Sequence, residues 1–389
     1  MLKKQISKSG LWNYFNFISR SFFAILIGII FSRSLDVKEF GYFTYASIVI
    51  NFLNQIVEIG TPQFIIQRYK FDIKFFHTSF TITLILSILL FLIINFATFI
   101  PFNILGLYEI KTNIRILSVI IISKSLSNLI NSKWLRDLNN KLITNISILS
   151  ESLSLVISLL ILFKLNPISA LLIYTISKSW LQLLISLKFL KLEIKFLVDF
   201  SIAKEIIHFG FPLVFSRIIT FLNSKLPQIY CGIFLGPYYL GLLSAAILIL
   251  QSLHGIFQTT MWTFWIPFLA KIKREFPERF GEIYIRIRDI QSAIIIPILF
   301  TIISLRTNLV ELFLPNKFYE IKNILPLLCV TGIFISTNYL FKPILILIGK
   351  IKLRLILDFA HLFLFLMSFL FLNQMSYLNL NFILFSMLF

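Results

Sequence analysis

The chain has 389 residues, 58% of them hydrophobic and only 14% charged, and 44 are phenylalanine. No soluble domain buries that much apolar surface, so a soluble globular protein is excluded and a polytopic membrane protein is expected. The formal net charge of +19 does not indicate nucleic acid, because the Lys and Arg sit in short clusters between apolar spans, the pattern of membrane topology.

Lys3, Lys4 and Lys8 precede an apolar stretch of spanning length without a small-residue cleavage site. This predicts a retained first helix rather than a signal peptide. Spans are predicted near 12–32, 41–60, 78–100, 114–132, 142–163, 167–187, 206–226, 240–260, 289–305, 324–348, 353–372 and 378–389. The last would be about 18 Å long as a helix, short of a ~30 Å hydrocarbon core, so the chain is expected to stop inside its twelfth span. The longest connection, KFLKLEIKFLVDFSIAKE near 187–205, alternates apolar and basic residues and is read as an amphipathic helix on the membrane surface. It divides the chain into two six-span halves, 1–195 and 196–389.

The N-terminus and alternate connections hold 23 of the 36 Lys and Arg, the opposite side 8. Positive charge marks the cytoplasmic side, which puts the N-terminus inside. Cys231 and Cys329 stand far apart in apolar settings and form no metal or redox motif, so no cofactor is expected.

The sequence matches part of itself at a shift of 200. GLWNYFNFIS at Gly10 lies over GFPLVFSRII at Gly210, and Gly41 falls on Gly241. Six spans separate the copies, so the halves share an orientation and are related by an axis along the membrane normal. Parallel repeats of this kind build transporters. The expected fold is all-α: about twelve transmembrane helices in two pseudo-symmetric six-helix lobes around a central cleft.

In the second span Asn51, Asn54, Gln55 and Glu58 recur at offsets of three, four and seven, on one helical face. Under the same shift Asn51, Asn54 and Glu58 meet Gln251, His254 and Gln258. Asn13, Asn16 and Arg20 mark one side of the first span, and Ser216, Arg217, Thr220 and Asn223 lie on the seventh. Such groups can glue helices together. Paired stripes at repeat-related positions favour a shared aqueous cavity built from spans 1, 2, 7 and 8.

Five cations lie within spans: Arg20, Lys124, Lys178, Arg217 and Lys225. A mid-bilayer charge costs ~2.5 kcal/mol or more, so each needs a partner or a task. Lys124, Glu151 and Lys178 stand mid-span in consecutive helices and read as an ion-pair network, with substrate contact as the alternative. Arg20 and Arg217 have no acid in their own spans, which makes them candidates for an anion, because the guanidinium fork bonds two phosphate oxygens at once. Asp358 and His361 share a helical face and would either bind a coupling ion or pack as an interhelical hydrogen bond.

Residues 31–68 resemble the first loop and second span of Wzx-type polysaccharide and O-antigen flippases of the multidrug/oligosaccharidyl-lipid/polysaccharide (MOP) exporter superfamily. The matching features are Leu35, Glu39-Phe40-Gly41-Tyr42, Gly60-Thr61-Pro62, and Leu235-Gly236, Leu240-Gly241 and Ala245 at the eighth span. GKIKLRL at Gly349 is similar to the loop before the eleventh. The resemblance implies translocation of an undecaprenyl-diphosphate-linked oligosaccharide from the cytoplasmic to the outer leaflet of a bacterial inner membrane. It also implies lipid contact and, as protein partners, a polysaccharide polymerase and a chain-length regulator. Asn51, Asn54, Gln55, Glu58, Gln251, His254 and Gln258 would then meet the sugar, and Arg20 and Arg217 the diphosphate.

Two other readings compete. A drug or cation antiporter of the same superfamily needs an acidic cavity, whereas Glu58 here stands against two arginines. A membrane-embedded polymerase or glycosyltransferase needs catalytic groups on sizeable loops, and no such cluster is found in the sequence. A transporter rather than an enzyme is expected.

Overall fold

The computed structural model describes residues 2–67, 72–99, 108–164, 166–260, 265–337 and 340–374. They form sixteen α-helices in chain order: α1 (Leu2–Ser34), α2 (Val37–Val57), α3 (Thr61–Gln67), α4 (Ile73–Phe99), α5 (Tyr108–Ser118), α6 (Ile120–Arg136), α7 (Asn140–Leu162), α8 (Pro167–Phe189), α9 (Phe200–Tyr230), α10 (Pro237–Thr260), α11 (Ile266–Glu275), α12 (Phe280–Ser304), α13 (Arg306–Phe313), α14 (Ile321–Thr337), α15 (Phe341–Leu347) and α16 (Ile351–Gln374). The fold is all-α, and no strand occurs among the described residues. Seven described helices are long and apolar enough to cross a membrane, and Pro237–Gln251 and Ile321–Ser336 add shorter apolar ones. The expected twelfth span lies outside the described residues.

Two compact units divide the chain, and neither is a contiguous half. One comprises residues 1–12 and 42–222; the other comprises 13–41 and 223–389. Most of α1 therefore belongs with the C-terminal elements, and most of α9 with the N-terminal ones.

In the first unit, α4, α6, α7 and α8 enclose a core that includes Phe76, Leu129, Ile130, Trp134, Ile146 and Leu183. On α7 the buried residues Thr144, Ser147, Glu151, Ser154 and Ser158 form one stripe. Small side chains there let the α7 and α8 backbones approach closely. The hydroxyls of Thr144, Ser150, Ser154 and Ser158 each donate to a carbonyl of their own helix, so burial leaves them satisfied.

The connection after α8 is not the expected amphipathic helix. Residues 190–199 run without helix, and their alternation has a period of two, which is that of extended chain. Leu190, Leu192 and Ile194 join the core, while Lys191, Glu193 and Lys195 face outward. The backbone N–H groups of Lys195 and Asp199 donate to His77 Nδ1 and Thr78 Oγ1 at the start of α4. The strap thus takes its hydrogen bonds from α4 rather than from itself.

Between α2 and α3 the chain breaks at Ile59 (φ 31°) and Gly60 (φ 67°). A β-branched residue rarely adopts positive φ, so this turn is imposed by its surroundings. Thr61 donates both its N–H and its hydroxyl to the Glu58 carbonyl at 2.8 Å. Pro62 follows in the first turn of α3, where no N–H is missed. The Gly-Thr-Pro motif is therefore a helix-restart device.

α9 lies antiparallel along α2 and α3. Phe209 meets Phe64, Gly210 meets Ile59, Arg217 meets Glu58 and Phe221 meets Phe52. A Cβ at Gly210 would overlap the Ile59 carbonyl, and one at Gly60 would lie 3.1 Å from the Gly210 Cα.

The second unit contains the corresponding pair, α1 against α10. Gly28 faces Leu248, and Gly255 faces the Phe17 ring. At the starts of α2 and α10 the repeat becomes visible in the packing itself. A Cβ at Gly41 would overlap the carbonyl oxygen of Pro237, and a Cβ at Gly241 would overlap that of Val37. Both members of this reciprocal contact are related by the shift of 200, so exchanging the two copies maps the contact onto itself.

Any side chain at either glycine forces backbones apart. Overpacking commonly costs about 1–3 kcal/mol, and backbone offers less relief than a flexible side chain. Gly41→Ala and Gly241→Ala should lower the thermal midpoint of the detergent-purified protein by similar amounts. Gly281→Ala, where nothing lies within 4 Å, should not. Unequal effects of the two would argue against the symmetric contact.

Candidate functional site

The polar stripe of α2 faces other helices of the first unit. Lys124 Nζ on α6 donates to Asn51 Oδ1 at 2.7 Å. One turn further along α6, Asn128 Nδ2 donates to Glu58 Oε1 at 2.6 Å. The other carboxylate oxygen of Glu58 receives Arg217 Nη1 from α9 at 3.0 Å. Three helices therefore converge on one carboxylate.

A second ion pair completes the set. Lys178 Nζ on α8 lies 2.7 Å from Glu151 Oε1 on α7, whose side chain is 1% exposed. By distance this is an ion pair, although its angles do not make a well-formed hydrogen bond. Ser123 and Ser179 link α6 to α8 through their hydroxyls at 2.6 Å. Lys124, Lys178 and Arg217 with Glu58 and Glu151 make three cations and two carboxylates in one helical unit.

Arg217 is therefore not an uncompensated guanidinium. Its neutralising acid is absent from its own span, as read from the sequence, but comes from α2. The expectation of a bare cation is corrected to a cation held in place by Glu58, with further N–H donors on the same fork. Arg20 is exposed on α1 and belongs to the second unit. Asn54 is buried. Its amide donates back to the Ile50 carbonyl, and its Oδ1 is buried without a partner. Gln55 is half-buried and Gln251 on α10 is exposed. The side chains of His254 and Gln258 lie outside the described residues.

On α16, the backbone of Asp358 and the side chain of His361 both meet Asn223 of α9 in the second unit. Asn223 Nδ2 donates to the Asp358 carbonyl at 2.9 Å, and its Oδ1 lies 3.1 Å from His361 Nδ1. The Asp358 carboxylate has Arg354 Nε at 3.7 Å. Lys225 does not rely on snorkelling alone, since Nζ donates to Gln228 Oε1, which in turn donates through Nε2 to Ser244.

Asn128 was not singled out in the sequence. Its signal was available: it stands four residues after Lys124, on the same face of α6, just as Glu58 stands seven after Asn51 on α2.

The arrangement of helices is shared with solved membrane proteins. The chain is similar to an inward-facing multidrug resistance MATE family transporter of the MOP superfamily (TM-score 0.70, 15% identity, 95% of this chain and 90% of that one). It is similar to the lipid II flippase MurJ in an inward closed conformation (TM-score 0.72, 15% identity, 95% and 84%). A MOP superfamily transporter from Pyrococcus furiosus gives 0.69 at 16% identity, over 99% and 92%. These likenesses establish the MOP fold. The family described as "Polysaccharide biosynthesis protein" matches residues 30–323, and the chain belongs to that family. No curated protein sequence matches it.

Removing one member of a largely buried pair leaves the other uncompensated. With side chains 17% and 14% exposed, Arg217→Ala and Glu58→Ala should each cost roughly 2–3 kcal/mol, below the loss for a fully buried pair. The double variant should lose clearly less than the sum, read as thermal midpoints in detergent. Strictly additive losses would mean that the two side chains do not interact.

Proposed function

We propose that the protein is a flippase that carries an undecaprenyl-diphosphate-linked oligosaccharide across the bacterial inner membrane by alternating access. The observation that carries this reading is the cation-rich polar network of the first unit, in a chain of a polysaccharide biosynthesis family with a MOP fold. A sugar–diphosphate head group needs amides for its hydroxyls and cations for its phosphates. Asn51, Gln55 and Asn128 supply amides, and Arg217 and Lys124 supply positive charge.

Arg217 is preorganised for this role. Glu58 fixes the guanidinium through one N–H, which leaves the direction of the fork set before an anion arrives. Charge-assisted bonds of this type are worth about 1.5–3 kcal/mol each. Glu58 also sets a limit, since a cationic drug would meet a carboxylate already engaged by Arg217. This favours an anionic cargo over the antiporter reading. Arg20 enters the proposal on the sequence alone, as an in-span guanidinium of α1. On this reading the N-terminus is cytoplasmic, and a polymerase and a chain-length regulator act on the delivered product.

Complementation of a flippase-deficient strain tests the proposal, scored by surface glycan and by the abundance of the protein in the membrane. Arg217→Lys keeps the charge and the pairing with Glu58 but loses the fork. It should retain abundance and restore only part of the glycan. Arg20→Ala should retain abundance and strongly reduce glycan. Full glycan from both would remove the arginines from the mechanism.

A further inference from the structure

The second unit contains a cavity of about 160 Å³ that the polar network does not use. Its walls come from α1, α10, α13 and α14, with Ile25, Gly28, Ala245, Leu248, Phe313 and Phe318 prominent among them. It lies at the end of α1 remote from the N-terminus, next to the turn into α2.

The lining is almost wholly apolar. Its polar side chain is Ser32, whose hydroxyl donates to the Ile29 carbonyl at 3.0 Å within its own helix. Nothing in the wall is left seeking a hydrogen bond, so the space offers a sugar or an ion no partner. Apolar cavities of this kind stay dry and take up hydrocarbon. Gly28 lets Leu248 close the floor, because a Cβ there would come within 3.2 Å of Leu248 Cδ2. At the rim, Ile25 and Phe313 are 40% and 41% exposed, so the cavity communicates with the surroundings of the helices.

We propose that this cavity is a binding site for a lipid hydrocarbon chain, distinct from the polar network of the first unit. The volume accommodates a short stretch of chain, on the order of five or six methylene groups given roughly 30 Å³ for each small heavy-atom unit. Retention comes from apolar surface withdrawn from the disordered lipid into a fixed, shape-matched wall. The site does not depend on the proposed cargo, because both a phospholipid acyl chain and a polyprenyl chain provide the chemistry.

Site-specific photocrosslinking in the full chain tests the inference. A benzophenone amino acid is placed at position 313 or, as a lipid-facing control, at 300, where Phe300 is 56% exposed. Membranes are doped with tagged phosphatidylglycerol in one arm and with tagged polyprenyl phosphate in the other. Capture at 313 should exceed that at 300 by roughly tenfold for at least one lipid, because dispersion contacts with a fixed wall add up over several methylenes, and should saturate with its concentration. Ile25→Trp, which fills the cavity from its exposed rim, should remove the excess without altering capture at 300. The arm that saturates identifies the chain. Equal, non-saturating capture at both positions, or an excess that survives Ile25→Trp, would overturn the proposal. Because neither readout involves glycan export, it fails or stands separately from the flippase reading.

Discussion

A carboxylate cannot be left bare among hydrocarbon, and at Glu58 this requirement holds three helices at once. One oxygen takes the Asn128 amide from α6, the other the Arg217 guanidinium from α9. The backbone places Glu58 there because α2 stops immediately before it, leading into a left-handed turn that Gly210 is small enough to admit. Steric and electrostatic constraints act within a few residues of each other. The glycine contact fixes how near α9 comes, and the ion pair fixes how far along it lies.

That constraint explains what could be read from the sequence and what could not. The polar face of α2 was legible because helical periodicity is a one-dimensional signal. The partner of Arg217 was not, because it stands 159 residues away on another helix. Asn128 does not stand out in the sequence, because Ser123, Ser125, Ser127, Asn131 and Ser132 share its helix. The strap at 190–199 was misread for a different reason. Its apolar and basic residues alternate by two, a period that belongs to extended chain, not to a helix. The sequence offers no sign of what His361 meets, because Asn223 stands 138 residues away.

The repeat shows the opposite case, a weak sequence signal with a firm structural meaning. Glycine is scarce here, with 13 in the chain, and two glycine pairs at one offset outweigh many leucine matches. Gly41 and Gly241 occupy the same place in a reciprocal contact, so each copy explains the other. The compact units nevertheless cut across the copies. α1 packs on α10 and α9 packs on α2, so each copy lends its first helix to a unit built mainly from the other.

The order in which these groups leave the ribosome gives the Glu58 pair a further consequence, for biogenesis. The hydroxyls of α7 bond to their own helix, so that segment can enter the bilayer alone. Glu151 waits only for the following helix to deliver Lys178. Glu58 is synthesised long before Arg217 exists, and in the interval Asn128 is its available donor. The bundle up to α8 is thus an assembly intermediate with one acid under-compensated. The arrival of α9 supplies the missing cation, so the seventh predicted span is the step that completes the compensation of Glu58.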